Sequence, residues 1–258
     1  MPQCKTFYRE DLLYNGISET GSHPPLRPPV LRLSYYIIIA ITMLRLYNLP
    51  VSDELMFANK EGVVAVFRMM SKREIEMWYA ADFSEAFAEN ERKPLPDIFA
   101  LIEEGRYQIW GLFDGEAALG YATLWQREGI PLVLLDYLGV KASLRNGGLG
   151  AQILRQLQSK GFLIVTESEL PVPDDSEEEN SIRLRRIGFY RRNGFTPSYE
   201  MATCGMRWQA LLYGAKDDSL VQIMEWHREL YGSERTDVKI PLGRDEIPEM
   251  PYWMTREV

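Results

Sequence analysis

Over residues 132–160 the spacing of apolar positions switches from strand-like to helix-like, and the rest of the chain is arranged around that switch. Leu132, Val133, Leu134 and Leu135 form an unbroken apolar run that Tyr137, Leu138 and Val140 continue, which predicts a buried strand. Leu149, Ile153, Leu154 and Leu157 then recur at helical spacing and predict an amphipathic helix. Between the two lie Arg145, Asn146, Gly147, Gly148 and Gly150. Glycines let the backbone approach a bulky anion, and the first turn of a helix carries N–H groups with no partner inside the helix. The junction has the makings of a phosphate-binding end.

Before this stretch, Ile75, Trp78, Tyr79, Phe83 and Phe87 fall at helical spacing. Pro94 and Pro96 break that helix, and residues 97–104 give a short second one closed by Gly105. Strands are expected over 107–113 and 118–125, joined by Asp114-Gly115, a strong hairpin signal. After it come a strand over 162–167, an acidic loop over 168–181, and a helix over 181–193 stopped by Gly194. The last strands fall within 197–213. A final helix over 218–231 carries Leu220, Ile223, Met224, His227 and Leu230 on one face. Antiparallel strands first and a β-α-β crossover later predict a mixed, mostly antiparallel sheet flanked by helices, an α+β or α/β fold.

The ends do not share this pattern. Residues 1–69 are expected to form an extension to a domain over 70–213, and residues 214–258 a helix and a proline- and aromatic-rich tail packed on it. Pro24, Pro25, Pro28 and Pro29 make a stiff segment. The apolar run over 33–44 is shorter than the ~20 residues a membrane-spanning helix needs. Three readings stand for this extension: an apolar helix or strand packed on the domain, a less favoured membrane anchor, or, because Met70-Ser71-Lys72-Arg73 reads like a protein start, residues that contribute nothing to activity.

Composition excludes more than it selects. A net charge of −8 lacks the basic footprint of general nucleic-acid binding. Cys4 and Cys204 are too few for a disulfide scaffold, which favours a reducing cytoplasm. His23 and His227 have no metal-spaced partners, so no metal is expected, and His227 reads as a helix-surface or core-edge residue.

Arg145-Asn146-Gly147-Gly148-Leu149-Gly150, an R-x-x-G-x-G between an aliphatic strand and an apolar helix, resembles the acyl-coenzyme A pyrophosphate loop of the GNAT superfamily of N-acetyltransferases. Phe189-Tyr190-Arg191-Arg192-Asn193-Gly194-Phe195 resembles the family's later F-Y-x-x-x-G-F. Two motifs in the family's order are harder to obtain by accident than one. The resemblance covers roughly residues 70–213 and implies acetyl-CoA as co-substrate and a primary amine, on a small molecule, peptide or protein, as acceptor. It also allows a homodimer. The resemblance implies that backbone N–H groups of Asn146, Gly147, Gly148, Leu149, Gly150 and Ala151, with Arg145, hold the diphosphate. It places Leu138, Gly139 and Val140 along the pantetheine arm, with a bulge at Gly139. Tyr190 aligns with the tyrosine that protonates the departing thiolate, and Glu167 or, failing it, Asp136 is the candidate base.

Arg183 stands where many members have a cofactor-contacting asparagine, and would meet a phosphate or cap the acidic loop. The run Asp174, Asp175, Glu177, Glu178 and Glu179 would attract a cationic acceptor or remain a solvated loop. A Rossmann reading fails on spacing, since residues 141–146 separate the strand from the glycines and Ile153 stands where a third glycine belongs. A non-catalytic acyl-CoA-binding sensor or scaffold is the alternative.

Overall fold

In the computed structural model, residues 55–58, 64–86, 92–215 and 218–250 are described. The proline-rich and apolar segments before residue 55, Phe87, and the tail after Met250 lie outside them. The strands are β1 (Leu55–Ala58), β2 (Val64–Met69), β3 (Tyr107–Asp114), β4 (Ala117–Trp125), β5 (Leu132–Val140), β6 (Leu163–Glu169), β7 (Thr196–Thr203) and β8 (Met206–Tyr213). The helices are α1 (Lys72–Trp78), α2 (Leu95–Glu103), α3 (Leu149–Ser159), α4 (Glu177–Arg192) and α5 (Leu220–Tyr231).

One sheet holds all eight strands in the order β1-β2-β3-β4-β5-β6-β8-β7. Every pair is antiparallel except β5 with β6, which the α3 crossover makes parallel. The fold is thus the mixed, mostly antiparallel sheet expected from the pattern. It begins upstream of the expected boundary at residue 70, because β2 pairs with β3 from Val66↔Phe113 to Met69↔Trp110.

Apolar side chains divide between the two faces of the sheet. On one face α3 and α4 bury Ile153, Leu154, Leu157 and Tyr190 against Val133, Leu135 and Ile164. On the other, α1, α2, α5 and the tail bury Trp78, Phe83, Ile98, Ile223 and Ile240 against Leu132, Leu134, Tyr137 and Val165. Beyond Trp78 the first helix loosens into a π-helical turn, Tyr79–Phe83. The five-residue step from Trp78 to Phe83 keeps both on the sheet, with ring centroids 4.6 Å apart. Leu220, expected on the buried face of α5, is 43% exposed; Ile223, His227 and Leu230 carry that face.

Strand β2 is tied to α1 by Glu74. Its carboxylate takes two hydrogen bonds from Arg68, at 2.9 and 2.6 Å, and closes a capping box with Ser71. The Arg68 guanidinium, together with the Ser71 backbone, holds the carboxyl at about 2, well below its usual 4.5. That lowering corresponds to ~3 kcal/mol, but a pair about a quarter exposed is screened, so ~1 kcal/mol is expected. A depressed carboxyl stabilises the fold above its unfolded pKa and loses the contribution as pH falls from 4.5 towards 2. Glu74→Gln should lower stability by ~1 kcal/mol at pH 7, with the difference from the parent vanishing at the acid end of a denaturant titration series.

Candidate active site

Strand β5 is irregular at one point, and the site is built around it. Thr123 pairs with Tyr137 and Leu124 with Leu135, so Asp136 is an extra residue bulged out of the β4 ladder. The bulge turns Asp136 and Tyr137 towards the same face, and the Tyr137 N–H is taken up by Thr123 Oγ1 at 3.0 Å. The bulge was expected at Gly139, which instead pairs in register with Tyr121. Gly139 is glycine for another reason: a Cβ there would lie 2.3 Å from the Tyr121 ring.

At the same level β5 and β6 part. Their parallel ladder ends at Leu135↔Thr166, where the Thr166 hydroxyl donates to the Leu135 carbonyl at 3.2 Å. Beyond it β5 runs on through Leu138, Gly139 and Val140, while β6 continues against β8 alone. The two strands diverge towards the loop that leads into α3.

That loop presents backbone. Asn146 and Gly148 take left-handed conformations, at φ 64° and 83°, and Gly148 is the helix N-cap without a side chain to offer. The first bond of the α3 ladder runs from Gln152 N–H to the Gly148 carbonyl, so the N–H groups of Leu149, Gly150 and Ala151 precede it. By contrast, α1 and α4 are capped by Ser71 and Ser176. Gly150 allows close packing of α4, since a Cβ there would lie 3.3 Å from the Phe189 ring. Arg145 lines a groove of about 380 Å³ with Lys141, Tyr121, Val140, Asp82 and Glu85. Burial, and then Glu85, push the Asp82 carboxyl up against the lowering effect of Lys141. These residues suit a diphosphate: amides ahead of the helical ladder, a nearby guanidinium, and room where a Cβ would intrude.

Tyr190 and Glu167 lie on opposite faces of the sheet. Tyr190 is buried with its ring edge-on between Phe189 and Phe195, at centroid distances of 5.3 and 5.5 Å. Glu167 faces α5, one residue past the end of the ladder, and its side chain is fully buried. Its carboxylate accepts from the Tyr231 hydroxyl at 2.8 Å, and His227 Nε2 lies 2.9 Å from it. The other ring nitrogen of His227 is 2.8 Å from the Tyr199 hydroxyl. Burial, and then the charge on Glu167, push both phenols well above the ordinary tyrosine range, which keeps both protonated. His227 is therefore no surface residue: it is fully buried between a carboxylate and a phenol.

Asp136 is bound differently. It accepts from Tyr107 at 2.7 Å and from Trp125 at 3.1 Å, and Lys93 Nζ lies 3.5 Å away. Sequence spacing could not have singled out Lys93, Tyr231 or His227, because none sits in a motif and each reaches the site only through tertiary packing.

The acidic stretch ends in helix. Ser176 caps α4, so Glu177, Glu178 and Glu179 form its first turn, where the helix dipole favours negative charge. Arg183 is buried two turns before Tyr190, bonded to Glu169 at 3.1 Å and Asp175 at 2.6 Å. It caps the acidic segment.

Comparison with known proteins finds similar chains and a similar fold. Residues 105–197 match the family model described as "Acetyltransferase (GNAT) domain". A Bacillus subtilis (strain 168) protein named "Putative acetyltransferase YjbC" is 28% identical over 167 residues, which cover 62% of this chain and 81% of that one. A solved structure described as "Putative acetyltransferase from GNAT family from Bacteroides thetaiotaomicron" superposes with a TM-score of 0.50 at 22% identity, covering 63% of this chain and 94% of that one. Residues 105–197 are thus similar to GNAT acetyltransferase domains, and the fold is that of the solved GNAT-family structure.

Proposed function

We propose that the chain is an N-acetyltransferase that moves an acetyl group from acetyl-CoA to a primary amine by direct attack in a ternary complex. The observation that carries this reading is the parting of β5 and β6 below an exposed helix mouth, with Tyr190 on one face and Glu167 on the other. Arg145 and the N–H groups from Asn146 to Ala151 would hold the diphosphate of the donor, and the β5 edge at Leu138, Gly139 and Val140 its pantetheine arm. Neutralising an amine of pKa ~10.4 at pH 7 costs about 4–5 kcal/mol, so a base is needed. Glu167 is the better placed carboxylate, since Tyr231 orients it and it lies one residue past the end of the β5–β6 ladder. Asp136 is committed to Lys93.

Tyr190 supplies the acid on the other face. A phenol near pKa ~10 protonating a thiolate near ~8.5 is uphill by about 2 kcal/mol, so proton transfer accompanies C–S cleavage. Among the described residues no helix is long and apolar enough to cross a membrane, and a cytoplasmic setting fits the acidic chain.

Amines, polyamines, aminoglycosides and lysine peptides, screened for release of free thiol from acetyl-CoA, test the proposal. At least one class should give amine-dependent release. In Glu167→Gln, kcat at pH 7 should fall by about 10²-fold and recover part of the loss as pH rises and more amine is neutral. One observation favours a second reading: both carboxylates on the acceptor face are already engaged by side chains of this chain. An acyl-CoA-binding sensor would give thermal stabilisation by acetyl-CoA and no release with any amine.

A further inference from the structure

Lys93 stands just ahead of α2, and its ammonium is carried into the interior, with the side chain only 2% exposed. Its Nζ lies over the rings of Trp125 at 5.1 Å, Tyr107 at 5.4 Å and Tyr137 at 5.8 Å, and 3.5 Å from Asp136 Oδ2. Ring faces attract a cation and the carboxylate adds an opposite charge, so three strands together make a seat for a primary alkylammonium. A buried ion pair is often no more stabilising than apolar residues of the same volume, so packing alone does not account for a lysine here. The position of the seat does. Asp136 is the bulged residue where β5 and β6 part, next to the level of Glu167, on the face the acceptor amine must use under the function proposed above.

We propose that Lys93 is an internal acyl acceptor: its ε-amino group occupies the acceptor seat and is acetylated by the chain itself. The inference rests on the acetyltransferase reading. One proton of the ammonium passes to Asp136 and on to solvent, and the neutral nitrogen attacks the thioester carbonyl carbon. The C–N bond forms and the C–S bond breaks. A second proton leaves the nitrogen for Asp136, again free to accept it, while Tyr190 protonates the thiolate and takes a proton back from solvent, which leaves a neutral amide and free thiol. The same chemistry makes external acceptors primary alkylammonium ions, for which Lys93 is a competitor held in place.

The test is peptide mapping by mass after the whole protein is incubated with acetyl-CoA. Lys93 should gain about 42 Da, the mass of an acetyl group on lysine. The fraction modified per unit time should not change when the protein is diluted tenfold. Lys93→Arg keeps a cation in the seat and should stay unmodified there, while Asp136→Asn should slow the modification by about 10²-fold. The acetylated protein should melt at a lower temperature, because Asp136 has lost its cation. A thermal shift with acetyl-CoA while Lys93 stays unmodified would overturn the proposal and leave the functional reading standing. No thermal shift with coenzyme A, which carries the same diphosphate and no acetyl group to transfer, would overturn both. A rate that rises with protein concentration would also overturn it, since the acceptor would then be a second molecule.

Discussion

Gly148→Val should weaken acetyl-CoA binding by about 100-fold, or ~2.7 kcal/mol, without unfolding the chain. Gly148 is the N-cap of α3 and holds φ at 83°, a conformation that a β-branched residue adopts only with strain. No atom lies within 4 Å of the Cβ position, so a side chain would project into open space at the helix mouth. That is the space the diphosphate would take. Hydrogen bonds to a charged group are worth ~1.5–3 kcal/mol each, so displacing the diphosphate from even one or two amides is enough for the expected loss. Calorimetric titration with coenzyme A measures the affinity. Circular dichroism should show the sheet and helices intact, because the strain is confined to one loop residue. Unchanged affinity would mean that the α3 mouth is not where the donor binds.

The second large effect is expected from Tyr190→Phe, which should lower kcat by about 10²–10⁴-fold while KM for acetyl-CoA stays within a few-fold. The substitution removes only the hydroxyl. The ring, which packs against Phe189 and Phe195, remains, so the α4 contact with the sheet should survive. A residue that served only to pack would show the opposite result: stability and kcat both close to those of the parent. Steady-state kinetics with a thiol-detecting reagent, run alongside a thermal melt, separate the two.

Much of this fold can be read from local pattern. The period change between Leu135 and Leu149 marks the central strand and the crossover helix, and Asp114-Gly115 marks the hairpin, because each signal lies within a few residues of its effect. The bulge is different. It follows from how β4 and β5 share register, and Gly139 attracts attention only because glycine is a common bulge residue; its missing Cβ makes room for the ring of Tyr121, 18 residues earlier.

The engagement of Glu167 was equally out of reach. Its partners Tyr231 and His227 lie on the C-terminal helix, and His227 read alone on an apolar face gives no sign of a buried carboxylate beside it. The acidic segment misled for a physical reason. Its glutamates suit either a solvated loop or the first turn of a helix, and the serine cap at Ser176 decides for the helix.

A crystal structure of the complex with coenzyme A tests the central claim most directly. Diphosphate oxygens should lie within hydrogen-bonding distance of the Leu149, Gly150 and Ala151 amides, with Arg145 beside them and the thiol between β5 and β6 where their ladder ends. A diphosphate bound elsewhere, with the α3 mouth open to solvent, would contradict it.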